Sequence, residues 1–199
     1  MGVLGNFQYI NQKGPNDCWL ACAAMIETFR RKKDTKGSYS AVKLDVGNVY
    51  DDLLGIYNSN KKHPYSANSV PQESASVFLI DYCGYPGEKM GTDGWAIPTF
   101  EEIKEQIDKK ERLFLCFVDS APPQKASDNA AGRYKANRKG DNGHWIIICG
   151  YDEAFRAQYI YVADPDQGGT KCMPYNFTEY RDKNNSVMYW WSTTYCDYK

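Results

Sequence analysis

Apolar residues recur at helical spacing in four segments of the first half of the chain. These segments predict helices at 18–29, 46–57, 74–82 and 99–110. The last segment opens with Thr99 and Glu102, which have the spacing of a capping box. We therefore expect residues 1–110 to form a helical half.

The pattern changes after residue 111 to short runs rich in β-branched and aromatic residues. Four such runs predict strands: "RLFLCFVD", "HWIIICGY", "AQYIYVAD" and "SVMYWWSTTY". Helices followed by strands favour an α+β domain, in which the N-terminal helical half packs against a C-terminal antiparallel sheet over 111–199. A chain of 199 residues suits a single domain of this kind, spanning 1–199.

Composition narrows the function classes. The net charge is −1 with acids and bases interspersed, so we expect no nucleic-acid partner, and no run is long enough for a membrane span.

Seven cysteines, an odd number, argue against a complete disulfide framework. No CxxC pair occurs, so we expect no zinc site and no other metal or cofactor. The N-terminus lacks the order of a secretory signal, which favours a cytoplasmic protein or export without a cleavable signal.

One cysteine lies where chemistry is expected. Cys18 falls in the first turn of the first predicted helix, after "GPND", and Asn16 or Asp17 can cap that helix. The helix N-terminus stabilises a thiolate by about 0.3 to 1 kcal/mol, which is less than one pKa unit. The helix is therefore insufficient alone, and a nearby imidazolium has to supply the larger part. An inward-pointing Asp17 would oppose thiolate formation.

A base and its orienting group are available downstream. His144 opens one predicted strand and Asp164 ends the next, so a hairpin would bring them side by side. His63, the other histidine, lies among turn formers and lysines and is interpreted as a solvated loop residue. Gln12, six residues before Cys18, could donate its side-chain amide to an oxyanion together with the Cys18 N–H.

Together these residues resemble the papain-like cysteine peptidases. The family pattern is a Gln, five intervening residues, then Cys–Trp opening a helix, with His and a carboxylate or amide far downstream. "DCWLACAAMI", "GHWIIICGYD" and "ADP" are most similar to compact bacterial papain-like proteases, which include secreted effector proteases and leader-peptide peptidases. The resemblance implies a papain-like fold with Cys18 as nucleophile, His144 as base, Asp164 as orienting residue and Gln12 in the oxyanion hole.

The implied activity is cleavage of a peptide bond in a protein or peptide substrate by a monomer, as in a bacterial effector or toxin. An activating partner is left open. Two alternatives stay open: a glutamine deamidase or transglutaminase-like enzyme on the same triad, and an inactive papain-like binding module. Trp19 and Trp145 are candidate substrate-binding residues. The polar stretch 120–143 is predicted to be a flap beside the active site.

Overall fold

The structure is a computed structural model, and it describes part of the chain. Described residues are 2–5, 7–14, 17–34, 45–59, 89–90, 98–110, 113–120, 144–154, 156–166, 172–178 and 188–195. The helices are α1 (Cys18–Asp34), α2 (Val46–Ser59) and α3 (Phe100–Lys110). The strands are β1 (Lys89–Met90), β2 (Phe114–Ser120), β3 (His144–Ala154), β4 (Ala157–Ala163), β5 (Met173–Asn176) and β6 (Met188–Tyr195).

The strands form one antiparallel sheet in the order β1-β6-β2-β3-β4-β5. The predicted α+β arrangement of N-terminal helices and a C-terminal sheet is confirmed. Strand β1 is the exception, because Lys89 and Met90 pair with the end of β6 although they precede α3. The predicted helix at 74–82 and most of the predicted flap at 120–143 lie outside the described residues.

Helix α1 is the centre of the core. The sequence predicted one apolar face, but every residue from Cys18 to Phe29 is buried. The reason is that α1 packs against both α2 and β3, and a helix with neighbours on several sides is apolar around most of its circumference. The buried carboxylate of Glu27 accepts hydrogen bonds from Arg30 and Arg31, each at 2.7 Å. Burial raises the pKa of Glu27, but these bonds outweigh it and hold the pKa below its usual range.

The N-terminal segment lies against β3 and leads to the start of α1. Leu4 N–H donates to the Cys149 carbonyl oxygen at 2.9 Å, and Val3 forms a β-bridge with Gly150. The register of β3 with β4 shifts between Ile148 and Gly150, so this contact falls at a β-bulge. Within the described part of the chain, no helix is long and apolar enough to cross a membrane.

Candidate active site

Cys18 is the first residue of α1. The Asp17 carbonyl oxygen accepts the first helical hydrogen bonds, from the N–H groups of Leu20 and Ala21 at 3.0 Å each. The thiol therefore sits at the positive end of the helix dipole, as the sequence predicted. It is also enclosed, since only 4% of Cys18 is exposed.

The β3–β4 hairpin holds the histidine and the carboxylate together. His144 is the first residue of β3, and Asp164 directly follows β4. His144 Nε2 lies 2.7 Å from Asp164 Oδ1, and both side chains are almost completely buried. The structure thus brings the pair into contact as the hairpin argument predicted.

Cys18 acts on the ionisation of His144 together with Asp164. Burial lowers the pKa of His144, but hydrogen bonds to Asp164 and Cys18 and the negative charges of these groups outweigh it and raise the pKa from 6.5 to about 9. Nε2 faces Asp164, so Nδ1 is the ring nitrogen left for Cys18. A histidine placed in this way is an imidazolium near neutral pH and can exchange a proton with the thiol.

Asp164 is itself held by the turn that it begins. Its Oδ1 accepts a hydrogen bond from Asp166 N–H at 2.9 Å, in addition to the contact with His144. A carboxylate with a fixed orientation selects one tautomer and one ring orientation of its histidine. The turn following β4 therefore presets the geometry of the pair.

Gln12 lies beside the same turn. Its backbone N–H donates to the Pro165 carbonyl oxygen at 2.9 Å. Its side-chain Oε1 is buried and has no hydrogen-bond partner among the described residues. A buried carbonyl oxygen without a protein partner is unusual, and as an acceptor it is suited to a donor group. It does not bear on the NH2 group that would have to donate to an oxyanion. The role of Gln12 in an oxyanion hole stays a prediction.

Asp17 precedes the nucleophile and is buried, with 3% exposed. Its Oδ2 accepts hydrogen bonds from Gly14 N–H, at 2.9 Å, and from the Tyr50 hydroxyl. The carboxylate consequently makes no hydrogen bond to the first turn of α1, although Asp17 occupies the capping position. Its bond to Tyr50 joins the loop before Cys18 to α2.

The two tryptophans predicted to bind substrate are both in the core. Trp19 is 1% exposed and packs on Tyr57 with a ring-centroid distance of 5.0 Å, and Trp145 is 6% exposed. This burial favours a packing role for both rings, and substrate binding by them stays a prediction.

Two tyrosines next to the site were not anticipated from the sequence. The hydroxyl of Tyr9 contacts the Asp164 main chain, and that of Tyr50 contacts the Asp17 side chain. Their partners lie 155 and 33 positions away in sequence, and no local pattern carries such a signal. Over the described ranges, no group of three or more His, Cys, Asp or Glu residues could hold a metal ion.

A buried cysteine at the start of a central helix, packed on a sheet whose hairpin holds a His–Asp pair, defines the class of papain-like cysteine peptidases. The model of the Peptidase_C39 like family matches residues 4–195, which is almost the whole chain. The chain therefore belongs to this family of cysteine peptidases. No curated protein matches it.

Proposed function

We propose that this protein is an active cysteine peptidase that cleaves a peptide bond in a protein or peptide substrate with a Cys18–His144–Asp164 triad. The observation that carries the proposal is the buried His144–Asp164 pair, with Nε2 2.7 Å from Oδ1. The Cys18 thiol at the N-terminus of α1 is close enough to help raise the pKa of His144. Membership of the Peptidase_C39 like family supports the same reaction class.

In the proposed reaction, Cys18 starts as a thiolate paired with the His144 imidazolium. The thiolate attacks the scissile carbonyl carbon. The carbonyl electrons move to oxygen, and the Gln12 side-chain amide and the Cys18 N–H donate hydrogen bonds to that oxyanion. When the oxyanion collapses, the C–N bond breaks and His144 gives its proton to the leaving amine. A thioester remains on Cys18.

Water completes the cycle. His144 takes a proton from the water as it attacks the thioester carbonyl, and the C–S bond breaks to release the carboxylic acid. The sulfur leaves as a thiolate and the proton stays on His144, which restores the starting pair. Asp164 keeps the His144 ring in place and stabilises the imidazolium in both halves of the cycle.

The biological setting is part of the same proposal. Similarity to compact bacterial papain-like proteases supports an effector or toxin, which acts in a cytoplasm or is delivered there without a cleavable signal. The buried thiols Cys22, Cys116 and Cys149 suit a reducing compartment, because a buried thiol in the core packs as a small apolar group.

The test is a comparison of the wild type with Cys18→Ala and with Cys116→Ala, a control that removes a sulfur from a buried thiol of β2. After incubation with a protein lysate, mass spectrometry should find new peptide termini with the wild type and with Cys116→Ala, and none with Cys18→Ala. Iodoacetamide at mildly acidic pH should label Cys18 before any other cysteine.

Other outcomes assign other functions. A glutamine-to-glutamate mass shift without new termini would assign a deamidase, and incorporation of an added amine would assign a transglutaminase-like enzyme on the same triad. Unchanged substrates from an enzyme whose Cys18 resists alkylation would leave an inactive binding module. Turnover by Cys18→Ala would show that the nucleophile is misassigned.

A further inference from the structure

The hydroxyl of Tyr9 reaches the main chain of the residue that orients His144. Tyr9 Oη lies 2.5 Å from the Asp164 carbonyl oxygen and 2.7 Å from Asn11 Oδ1. A phenol has one proton, so Tyr9 donates to one of these oxygens at a time. The shorter distance is to Asp164, 155 positions away in sequence.

A second hydrogen bond joins the same two segments. Gln12 N–H donates to the carbonyl oxygen of Pro165, the residue after Asp164, at 2.9 Å. Segment 9–12 therefore holds two successive carbonyl groups of the turn. Because the N–H of Asp166 in that turn fixes the Asp164 carboxylate, the position of the turn determines where Oδ1 meets His144.

We propose that Tyr9 is a positioning residue of the triad, which fixes the Asp164 turn through its hydroxyl and thereby couples the segment carrying Gln12 to the His144–Asp164 pair. This role rests on the proposed peptidase function. It goes beyond that function, because it adds a residue that touches neither the substrate nor the thiol.

The charges around both groups favour this role. Burial raises the pKa of Tyr9, and the nearby Asp164, Cys22, Cys172 and Asp166 raise it further, so the phenol stays protonated and remains a donor at working pH. Among the described residues, the titratable groups that face His144 are Asp164 and Cys18. Loosening the Asp164 turn weakens the acceptor at Nε2, and the pKa of His144 then falls.

The experiment is an NMR titration of the two histidines in wild type, Tyr9→Phe and Tyr151→Phe. Tyr151 is a matched control because its hydroxyl also makes a 2.5 Å hydrogen bond, to Asp108 on α3. A His63→Gln variant identifies which signal belongs to His144. The wild-type midpoint should be about 9. Tyr9→Phe should lower it by at least about 0.5 pH unit, and Tyr151→Phe should leave it within about 0.2 unit.

Kinetics provide a second readout. In Tyr9→Phe, kcat should fall about 3- to 10-fold with KM nearly unchanged, and the alkaline limb of kcat/KM should move to lower pH with the His144 midpoint. An unchanged midpoint in Tyr9→Phe, or an equal shift in Tyr151→Phe, would overturn the positioning role. Failure of the proposed function is distinguishable, because it shows in the wild type as an absence of new peptide termini, or as turnover by Cys18→Ala, whatever the His144 midpoint of Tyr9→Phe.

Discussion

Replacing Asp164 with Asn changes the charge at His144 and little else. The amide oxygen of Asn can still accept from Nε2 and from Asp166 N–H, so the hairpin geometry is kept. The substitution does, however, remove the negative charge of Asp164, which lies next to a histidine that is only 1% exposed. The substitution therefore isolates the electrostatic part of the pair.

The size of the effect follows from the pKa of His144. Its rise from 6.5 to about 9 is about 2.5 pH units. At about 1.36 kcal/mol per unit this corresponds to about 3 kcal/mol. Burial acts in the opposite direction, so Asp164 and Cys18 together contribute more than this net amount. We expect Asp164→Asn to lower the pKa by at least about one unit, or about 1.4 kcal/mol.

The direction in which stability changes with pH follows from the pKa of His144, which is higher in the folded state than in the unfolded state. The stabilisation by protonated His144 is fully present below pH 6.5 and is lost as the pH rises through about 9. The free energy of unfolding should therefore fall over this range in a protein that has Asp164. With Asp164 replaced by Asn and Cys18 by Ala, both negative charges are gone while burial still lowers the pKa of His144, so this fall should become smaller.

The assay is urea unfolding between pH 6 and 9 in a Cys18→Ala background, with and without Asp164→Asn. The Cys18→Ala background removes the thiol from the comparison, and groups common to both proteins cancel in the difference. The difference in unfolding free energy should shrink by at least about 1.4 kcal/mol across the window. Parallel stability curves would refute the argument that Asp164 sets the protonation of His144.

Two further predictions concern Gln12 and the N-terminal segment. Gln12→Ala should lower kcat on the order of 10² to 10³ with little change in KM, and normal kcat with raised KM would reassign Gln12 to substrate binding. A Cβ on Gly150 would lie 2.5 Å from Gly2 O and 2.7 Å from Val3 Cα, both backbone atoms. Gly150→Ala should therefore lower the free energy of unfolding by about 1 to 3 kcal/mol. Gly55→Ala in α2, where the added Cβ has nothing within 4 Å, should instead raise it by about 0.5 to 1 kcal/mol. Equal effects in the two glycine variants would contradict this reasoning.

The elements predicted correctly are those whose signal lies within a few neighbouring residues. The Thr99–Glu102 capping box is present in both directions, with Thr99 N–H 2.6 Å from Glu102 Oε2 and Glu102 N–H 3.2 Å from Thr99 Oγ1. Helix α2 and the four longer strands follow their apolar patterns in the same way. Such signals need no knowledge of tertiary contacts.

The elements that the sequence did not predict are short or polar. Strands β1 and β5 have two and four residues, too few for alternation to be read, and they exist because β6 and β4 pair with them. Helix α1 continues five residues beyond the last apolar position, Phe29, to Asp34. The ion pairs of Glu27 with Arg30 and Arg31 support this extension. An apolar pattern cannot reveal it, but the basic residues 30–33 are typical of a helix C-terminus and indicate it.

The candidate site shows the same difference between features that neighbouring residues signal and features that depend on tertiary contacts. The contact of His144 with Asp164 was predictable, because two strands joined by a short turn bring the start of one beside the end of the other. The contacts of Tyr9 and Tyr50 were not, since each depends on how segments distant in sequence pack. A single sequence specifies which groups can react, whereas the groups that hold them in place come from tertiary structure.

Asp17 shows how the fold accommodates a carboxylate next to Cys18, the proposed nucleophile. As a helix cap, its side chain would bond the N–H groups of the first turn and occupy the donors that an oxyanion needs. Instead Oδ2 accepts from Gly14 N–H and the Tyr50 hydroxyl, while Oδ1 has no partner among the described residues. Two donors directed at Oδ2 partly offset the negative charge that would oppose a thiolate at Cys18. Asp17 thus begins α1 through its carbonyl oxygen, while its side chain leaves the N–H groups of the first turn available for the proposed reaction. The Tyr50 hydroxyl of α2 is one of the donors that hold the carboxylate in this orientation.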